Sequence, residues 1–354
     1  MTTSGGPPAS QPPLDVLVLG GTSWLGGEVA ALARLRGHRV TCLARGESGS
    51  VPEGVTHVTA DRWQGSAYEK VADRVWDVVV DVSWQPDLVR SALAALAARA
   101  GHWVYVSSVS VYADQGAPGA DESAALLDAW AGAGEADDGS YGPAKVSCET
   151  SFRAAVAPDR LTVARAGLIV GYGDRSDRFG YWPARLTDAE DPEALVLVPP
   201  LDLPVQVIDV SDLARWLVDA AERRLAGTFD AVGKQVSFEE VISACALATG
   251  TEPLLAEPDE LWLVDQGVTP WTGPDSLPLW LPRPDHAGLM ARDGTAARAA
   301  GLASRPLAET VAAALAWEVE QGLDRPRKAG LSVERENTLL ALLLGQETGP
   351  PQTK

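Results

Sequence analysis

Tyr141 and Lys145 lie four residues apart in the run Tyr141-Gly142-Pro143-Ala144-Lys145. On a helix that spacing puts a phenol and an ammonium on one face, over the same small volume. A positive neighbour eases loss of the phenolic proton, which suits the pair to general acid or base work. The pattern alone is weak, because a Tyr and a Lys on a solvated helix face are common. Its setting strengthens it. Upstream lie Ser108, a hydroxyl at the end of an apolar strand, and a glycine-rich turn near the start of the chain.

The elements that must position these groups follow from the hydrophobic pattern. Residues 15–20 (Asp-Val-Leu-Val-Leu-Gly) form a short apolar run that predicts a buried parallel strand. The turn Gly20-Gly21-Thr22-Ser23-Trp24-Leu25-Gly26 leads into a helix with Leu25, Val29, Leu32 and Leu35 on one face, closed by Gly37. Backbone N–H groups at such a helix start hold a pyrophosphate, and small residues let it come close. The competing reading is a plain tight turn. A second strand over 40–43 ends at Ala44 and Arg45. With no carboxylate for a ribose hydroxyl and a guanidinium for a 2′-phosphate, NADP is preferred there over NAD.

Further strands are predicted near 55–59, 77–82, 103–107 and 161–170. Asp61 and Arg62 follow the third, as an edge for an adenine ring. Val82 ends the fourth and Ser83 follows it, and Pro86 suits the first turn of the next helix. Ser108 ends the fifth, at the strand edge where open α/β sheets bind ligands. Alternating strands and helices predict an α/β fold, a Rossmann-type doubly wound parallel sheet with a smaller C-terminal substrate-binding lobe.

Residues 113–140, rich in Ala, Gly, Asp and Glu with one possible helix over 122–130, read as a candidate lid. Asp209 or Ser211 is expected to cap a helix, Ser237-Phe238-Glu239-Glu240 is a capping box, and helices are expected over 307–321 and 333–344. The expected organisation is a disordered leader (1–13), a dinucleotide-binding domain (14–172), a lobe partly interleaved with it (173–345) and a disordered tail (346–354).

A net charge of −19 disfavours nucleic acid and anionic membrane as partners. No apolar run reaches the length of a membrane span, and the start lacks the basic and apolar blocks of a secretory signal, so a cytoplasmic location is expected. Cys42, Cys148 and Cys245 show no metal-ligand spacing and read as buried thiols; no metal is expected.

With these residues placed, the chain resembles the extended short-chain dehydrogenase/reductases, the NAD-dependent epimerase/dehydratase family. The likeness runs from about residue 15 to 322 and rests on three ordered motifs: the turn at Gly20, Ser23 and Gly26; the strand ending Ser107-Ser108-Val109-Ser110; and Tyr141-x-x-x-Lys145 followed by Glu149. The resemblance implies that Tyr141 exchanges a proton with the substrate oxygen, that Ser108 hydrogen-bonds that oxygen, and that Lys145 holds the nicotinamide ribose. It implies a cofactor site of Gly20, Thr22, Ser23, Trp24, Leu25, Gly26, Arg45, Asp61, Arg62, Val82, Ser83, Tyr141, Lys145, Gly167 and Leu168.

Several positions depart from the family pattern. Ser23 replaces the middle glycine of the turn. Val109 and Ser110 stand where the family's sugar dehydratases carry Asp and Glu, which argues against dehydration. Leu168 and Val205 align with an Asn and a diphosphate-binding Arg of its sugar-nucleotide epimerases.

Substrate contacts are expected from Trp84, Ser110, Arg178, Trp182 and Trp271, with Trp280 a further aromatic candidate. The preferred expectation is an NAD(P)-dependent oxidoreductase with carbonyl reductase or alcohol dehydrogenase chemistry on a small organic substrate. The alternative is an NAD-dependent epimerase of a nucleotide sugar, and a third reading is a non-catalytic dinucleotide-binding regulator. A homodimer is possible by analogy with the family.

Overall fold

The computed structural model describes residues 12–187 and 195–345. Residues 1–11 of the expected leader and the expected tail lie outside the described residues. The first half runs β1 (Asp15–Leu19), α1 (Trp24–Leu35), β2 (Arg39–Ala44), β3 (Thr56–Thr59), β4 (Trp76–Asp81), α2 (Pro86–Leu96), β5 (Ala100–Ser108), α3 (Tyr141–Ala155) and β6 (Leu161–Ala166). It continues through β7 (Leu168–Val170), α4 (Tyr181–Thr187), β8 (Leu195–Leu197), β9 (Pro204–Asp209), α5 (Val210–Arg223), β10 (Gly227–Ala231), β11 (Gln235–Ser237) and α6 (Phe238–Thr249). The rest includes α7 (Glu260–Asp265), α8 (Thr295–Ala299), α9 (Leu307–Gln321) and α10 (Val333–Leu343).

Seven parallel strands form the central sheet in the order β10-β6-β5-β4-β1-β2-β3. β1 is central, with Leu17 paired to Thr41 on one side and Val79 on the other. The chain winds outward to β3 and then returns to β4, so the strand order reverses between β1 and β4. Ligands bind outside the carboxyl ends of strands at such a reversal. Both faces of the sheet are covered, which explains why its strands are continuous apolar runs. Val16, Val18, Val78, Val80 and Val104 pack on Leu25 and Val29 of α1 and Leu213 and Leu217 of α5. Leu17, Leu19, Val79, Trp103 and Tyr105 pack on Val89 and Leu93 of α2 and Phe152 of α3.

The expected strand over 161–170 divides at Gly167. β6 stays in the central sheet, whereas β7 pairs with β9 in a three-stranded sheet that also holds β11. A second core, built on Phe179, Trp182, Phe238, Trp280 and Val311, underlies this lobe. The lobe returns β10 and α5 to the first half, where they complete the central sheet and cover its face.

Helix ends follow their local chemistry. Asp209, not Ser211, caps α5 by accepting from the Ser211 N–H, and Ser237 with Glu240 forms the capping box of α6. Ser332 caps α10. The possible helix over 122–130 does not form. Residues 122–124 make a turn, and the rest follows an irregular path because its backbone bonds to neighbours: the Leu127 N–H donates to Val111 and the Trp130 N–H to Pro143. All three cysteines are buried and free. Among the described residues no helix is long and apolar enough to cross a membrane.

Candidate active site

Two cavities meet at the carboxyl ends of the central strands. The first, about 550 Å³, runs from the β1–α1 turn and the end of β2 to Ser83, Ser108, Tyr141 and Lys145. The second, about 420 Å³, is lined by Ser110, Leu168, Asp174, Arg175, Arg178, Trp271 and Met290, among others. They share Trp24, Ser108, Tyr141, Gly167 and Ile169. The phenol and the serine predicted to do chemistry therefore sit at the junction, and the lysine lines the first cavity.

Close packing brings Tyr141 to Ser108. Ser108 leaves β5 into a single tight turn over Val109–Val111, with its hydroxyl accepting from the Ser110 N–H at 3.1 Å. The first turn of α3 lies directly against this turn: a Cβ on Gly142 would stand 2.4 Å from the Ser110 carbonyl oxygen. Any larger residue at 142 would push the Tyr141 backbone away. Trp84 packs on Tyr141, with ring centroids 5.4 Å apart.

Lys145 is buried, and its ammonium donates to the Ser83 carbonyl at 3.0 Å and the Val106 carbonyl at 2.6 Å. It lies 5.0 Å from the Tyr105 ring centre and 6.0 Å from that of Tyr141. Two of its three N–H groups are thus used by strand ends, leaving one for a ligand in the cleft. Below it, Ser107 donates to Glu149 at 2.6 Å, and Arg165 grips the same carboxylate through two nitrogens. This buried pair holds α3 to β5 and β6.

At the other end of the cleft, the Ser23 hydroxyl donates to the Gly20 carbonyl at 2.7 Å and accepts from the Gly26 N–H at 3.3 Å. The departure from the middle glycine is a helix cap. Thr22, Ser23, Trp24 and Leu25 line the cleft; Gly26 does not, and serves instead as the contact between α1 and the turn. Arg45 is exposed at the cleft rim beside Gly46 and Ser48, 3.2 Å from the Glu47 carboxylate.

Some expected site residues have other duties. Arg62 reaches the cleft wall, but its buried guanidinium makes two bonds to Asp81 and others to Tyr68 and the Leu88 carbonyl. Four of its five N–H donors are thereby committed to a structural ion pair and its neighbours. Asp61 lines the cleft, and its carboxylate caps the Trp63 N–H. Leu168 lines the second cavity and not the first, where the resemblance expects a cofactor. Trp182 lines neither cavity: it is fully buried in the lobe core, with its ring N–H on the Pro278 carbonyl. Trp280 is likewise core. Arg178 and Trp271 do meet in the second cavity, the guanidinium 4.9 Å from the ring centre. Asp174, Arg175, Leu289 and Met290 were not anticipated. They come from irregular segments, where no periodic signal marks a facing side chain.

No family model matches the chain, and no curated protein matches it in sequence. Solved structures do. The enzyme WbmH of Bordetella bronchiseptica, in complex with NAD+, is 19% identical with a TM-score of 0.61 over 88% of this chain and 100% of that one. WbmG of the same organism, in complex with NAD and UDP, is 13% identical at TM-score 0.64, over 88% of this chain and 96% of that one. The UDP-N-acetylglucosamine 4-epimerase of Bacillus cereus is 16% identical at TM-score 0.62, over 88% of this chain and 98% of that one. The chain has the Rossmann-type fold of these proteins, including the C-terminal lobe.

Proposed function

We propose that this chain is a nicotinamide-dinucleotide-dependent enzyme that interconverts a secondary alcohol and its carbonyl, run as the epimerisation of a nucleotide-linked sugar. The observation that carries the reading is the meeting of Ser108 and Tyr141 at the junction of two cavities, with Lys145 beside them. The first cavity fits a dinucleotide: a capped helix N-terminus and a small-residue turn at one end, an arginine at the ribose-side rim, and an ammonium with a spare N–H at the other. When bound, the dinucleotide supplies or receives the hydride. Tyr141 gives a proton to, or takes it from, the substrate oxygen. Ser108 turns its hydroxyl from Ser110 towards the same oxygen, and Lys145 fixes the ribose edge of the cleft.

Epimerisation, the expected alternative, gains support from the structural neighbours, of which one is a nucleotide-sugar 4-epimerase and another holds NAD together with UDP. A specific observation favours the second reading, net reduction of a small carbonyl compound. Leu168 and Val205 put apolar side chains where the resemblance expects an Asn and a diphosphate-binding Arg, and Val205 is fully buried.

One experiment separates the readings. The purified protein is assayed for bound nicotinamide and then offered UDP-sugars without added cofactor. Retained dinucleotide and interconversion of epimers support the first reading; stoichiometric NADPH consumption with a simple ketone supports the second. Absence of retained nicotinamide together with failure to bind added NADH or NADPH would sink both.

A further inference from the structure

Arg178 stands apart from the other arginines of the chain. Among the described residues it is the one arginine not fully exposed whose guanidinium has neither a hydrogen bond nor a carboxylate within ion-pair distance. Arg62, Arg165 and Arg292, the fully buried ones, each have a carboxylate partner. So do Arg185, Arg305, Arg325 and Arg327 in the lobe. A half-buried cation with no directly bonded counter-ion is costly, and Asp174 in the same cavity acts on it only from beyond ion-pair distance. Burial pulls the Arg178 guanidinium below its ordinary range, against the opposing fields of Asp174 and Tyr141.

The placement of Arg178 is held from behind. Asp177 has φ of 61°, a left-handed backbone that is uncommon outside glycine, and it is pinned there. Its carboxylate receives Arg325 and, at 2.8 Å, the Lys328 N–H. Arg325 and Arg327 in turn bind Glu318 of α9, a fully buried carboxylate. On the open side, the flat face of Trp271 supports the guanidinium, and Trp271 also has a positive φ, of 71°. Strain and ion pairs together hold a charged fork in the cavity that contains Tyr141.

We infer that Arg178 receives an anionic oxygen group, carboxylate or phosphate, carried by the substrate on the lobe side of the carbon that Tyr141 serves. The inference rests on the functional reading above and names the residue of this chain that would hold the charged part of the substrate. A guanidinium fork suits either group, since both offer paired oxygens. Arg175 lies exposed at the rim of the same cavity and would contribute long-range attraction only. Glu318 and Arg325 act as positioning residues.

The test uses the full chain saturated with NADPH or NADH, so that the dinucleotide cleft is filled. Calorimetric titrations are run with sodium pyrophosphate and with sodium glucuronate, on wild type, Arg178→Gln, Arg178→Lys and Arg175→Gln. Saturable binding of one anion to wild type is expected, tenfold or more weaker in Arg178→Gln, partly restored in Arg178→Lys, and changed less than threefold in Arg175→Gln. The anion that binds identifies the group. Equal affinity in wild type and Arg178→Gln, or no binding of either anion to wild type, overturns the inference. Should the dinucleotide itself not bind, the functional reading falls, while the same titrations on the unloaded chain still decide the role of Arg178.

Discussion

Adjacent glycines at the start of α1 should respond to the same substitution with opposite signs. A Cβ on Gly26 would lie 2.3 Å from the Gly20 carbonyl oxygen and 2.9 Å from the Ser23 hydroxyl. A Cβ on Gly27 would meet nothing nearer than the Gly21 carbonyl oxygen, at 3.8 Å. In Gly26→Ala the carbonyl must withdraw by roughly an ångström, an overpacking strain of about 1–3 kcal/mol. That carbonyl also accepts from the Ser23 N–H at 2.9 Å and the Ser23 hydroxyl at 2.7 Å. Weakening both adds about 1 kcal/mol. Gly27→Ala instead removes a glycine from within a helix and gains about 0.5–1 kcal/mol. Gly26 lies in the same helix and gains the same propensity term, so the two variants should differ by about 2–4 kcal/mol in urea unfolding followed by circular dichroism. In NADPH titrations Gly26→Ala should bind at least tenfold more weakly, because the turn amides shift, while Gly27→Ala binds as wild type. Equal stabilities, or undiminished NADPH binding by Gly26→Ala, would refute the contact on which the reasoning rests.

Other outcomes follow from the same geometry. Tyr141→Phe should lower turnover about 10²–10⁴-fold with dinucleotide affinity nearly unchanged, read by single-turnover hydride transfer and a separate titration. Arg45→Ala should weaken NADPH about tenfold while leaving NADH unaffected; equal effects on both would remove Arg45 from the 2′-phosphate. Asp81→Asn should cost about 3–5 kcal/mol in urea unfolding, since it strands the buried Arg62 charge. Burial pushes the Asp230 carboxyl up to about 6 despite the Tyr112 hydroxyl and Arg292 bound to it. A carboxyl raised in the folded state binds its proton more tightly there. Its contribution is therefore full below about pH 4 and is lost as pH rises through 6, by roughly 3 kcal/mol. Asp230→Asn should flatten that part of the stability–pH curve, and an unchanged curve would dismiss Asp230 as its source.

The parallel sheet was legible because its strands are buried on both faces and so read as unbroken apolar runs, each ended by a turn. α3 and its Tyr141 and Lys145 were legible from their spacing taken together with Ser108 and the glycine-rich turn upstream. What the pattern could not show was long-range partnership. Arg62 looks free in sequence because Asp81 is 19 residues away. Trp182 and Trp271 look alike as aromatics in loose segments, yet one fills the lobe core and the other floors a cavity. Residues 161–170 read as one strand because hydrophobicity does not record which sheet supplies the hydrogen bonds on either side of Gly167. The non-helical path of 122–130 depends on bonds to Val111 and Pro143, which no local propensity contains.

Trp24 belongs to the β1–α1 turn, yet its indole N–H is bound to the Tyr172 carbonyl at 2.8 Å and its ring closes one wall of each cavity. An optical signal is thereby built into the partition. Arrival of a molecule on either side changes the polarity around one indole, so a single chromophore reports two occupancies. It also means that the lobe cannot be exchanged for another without recutting the turn, because the two halves of the molecule have a wall in common.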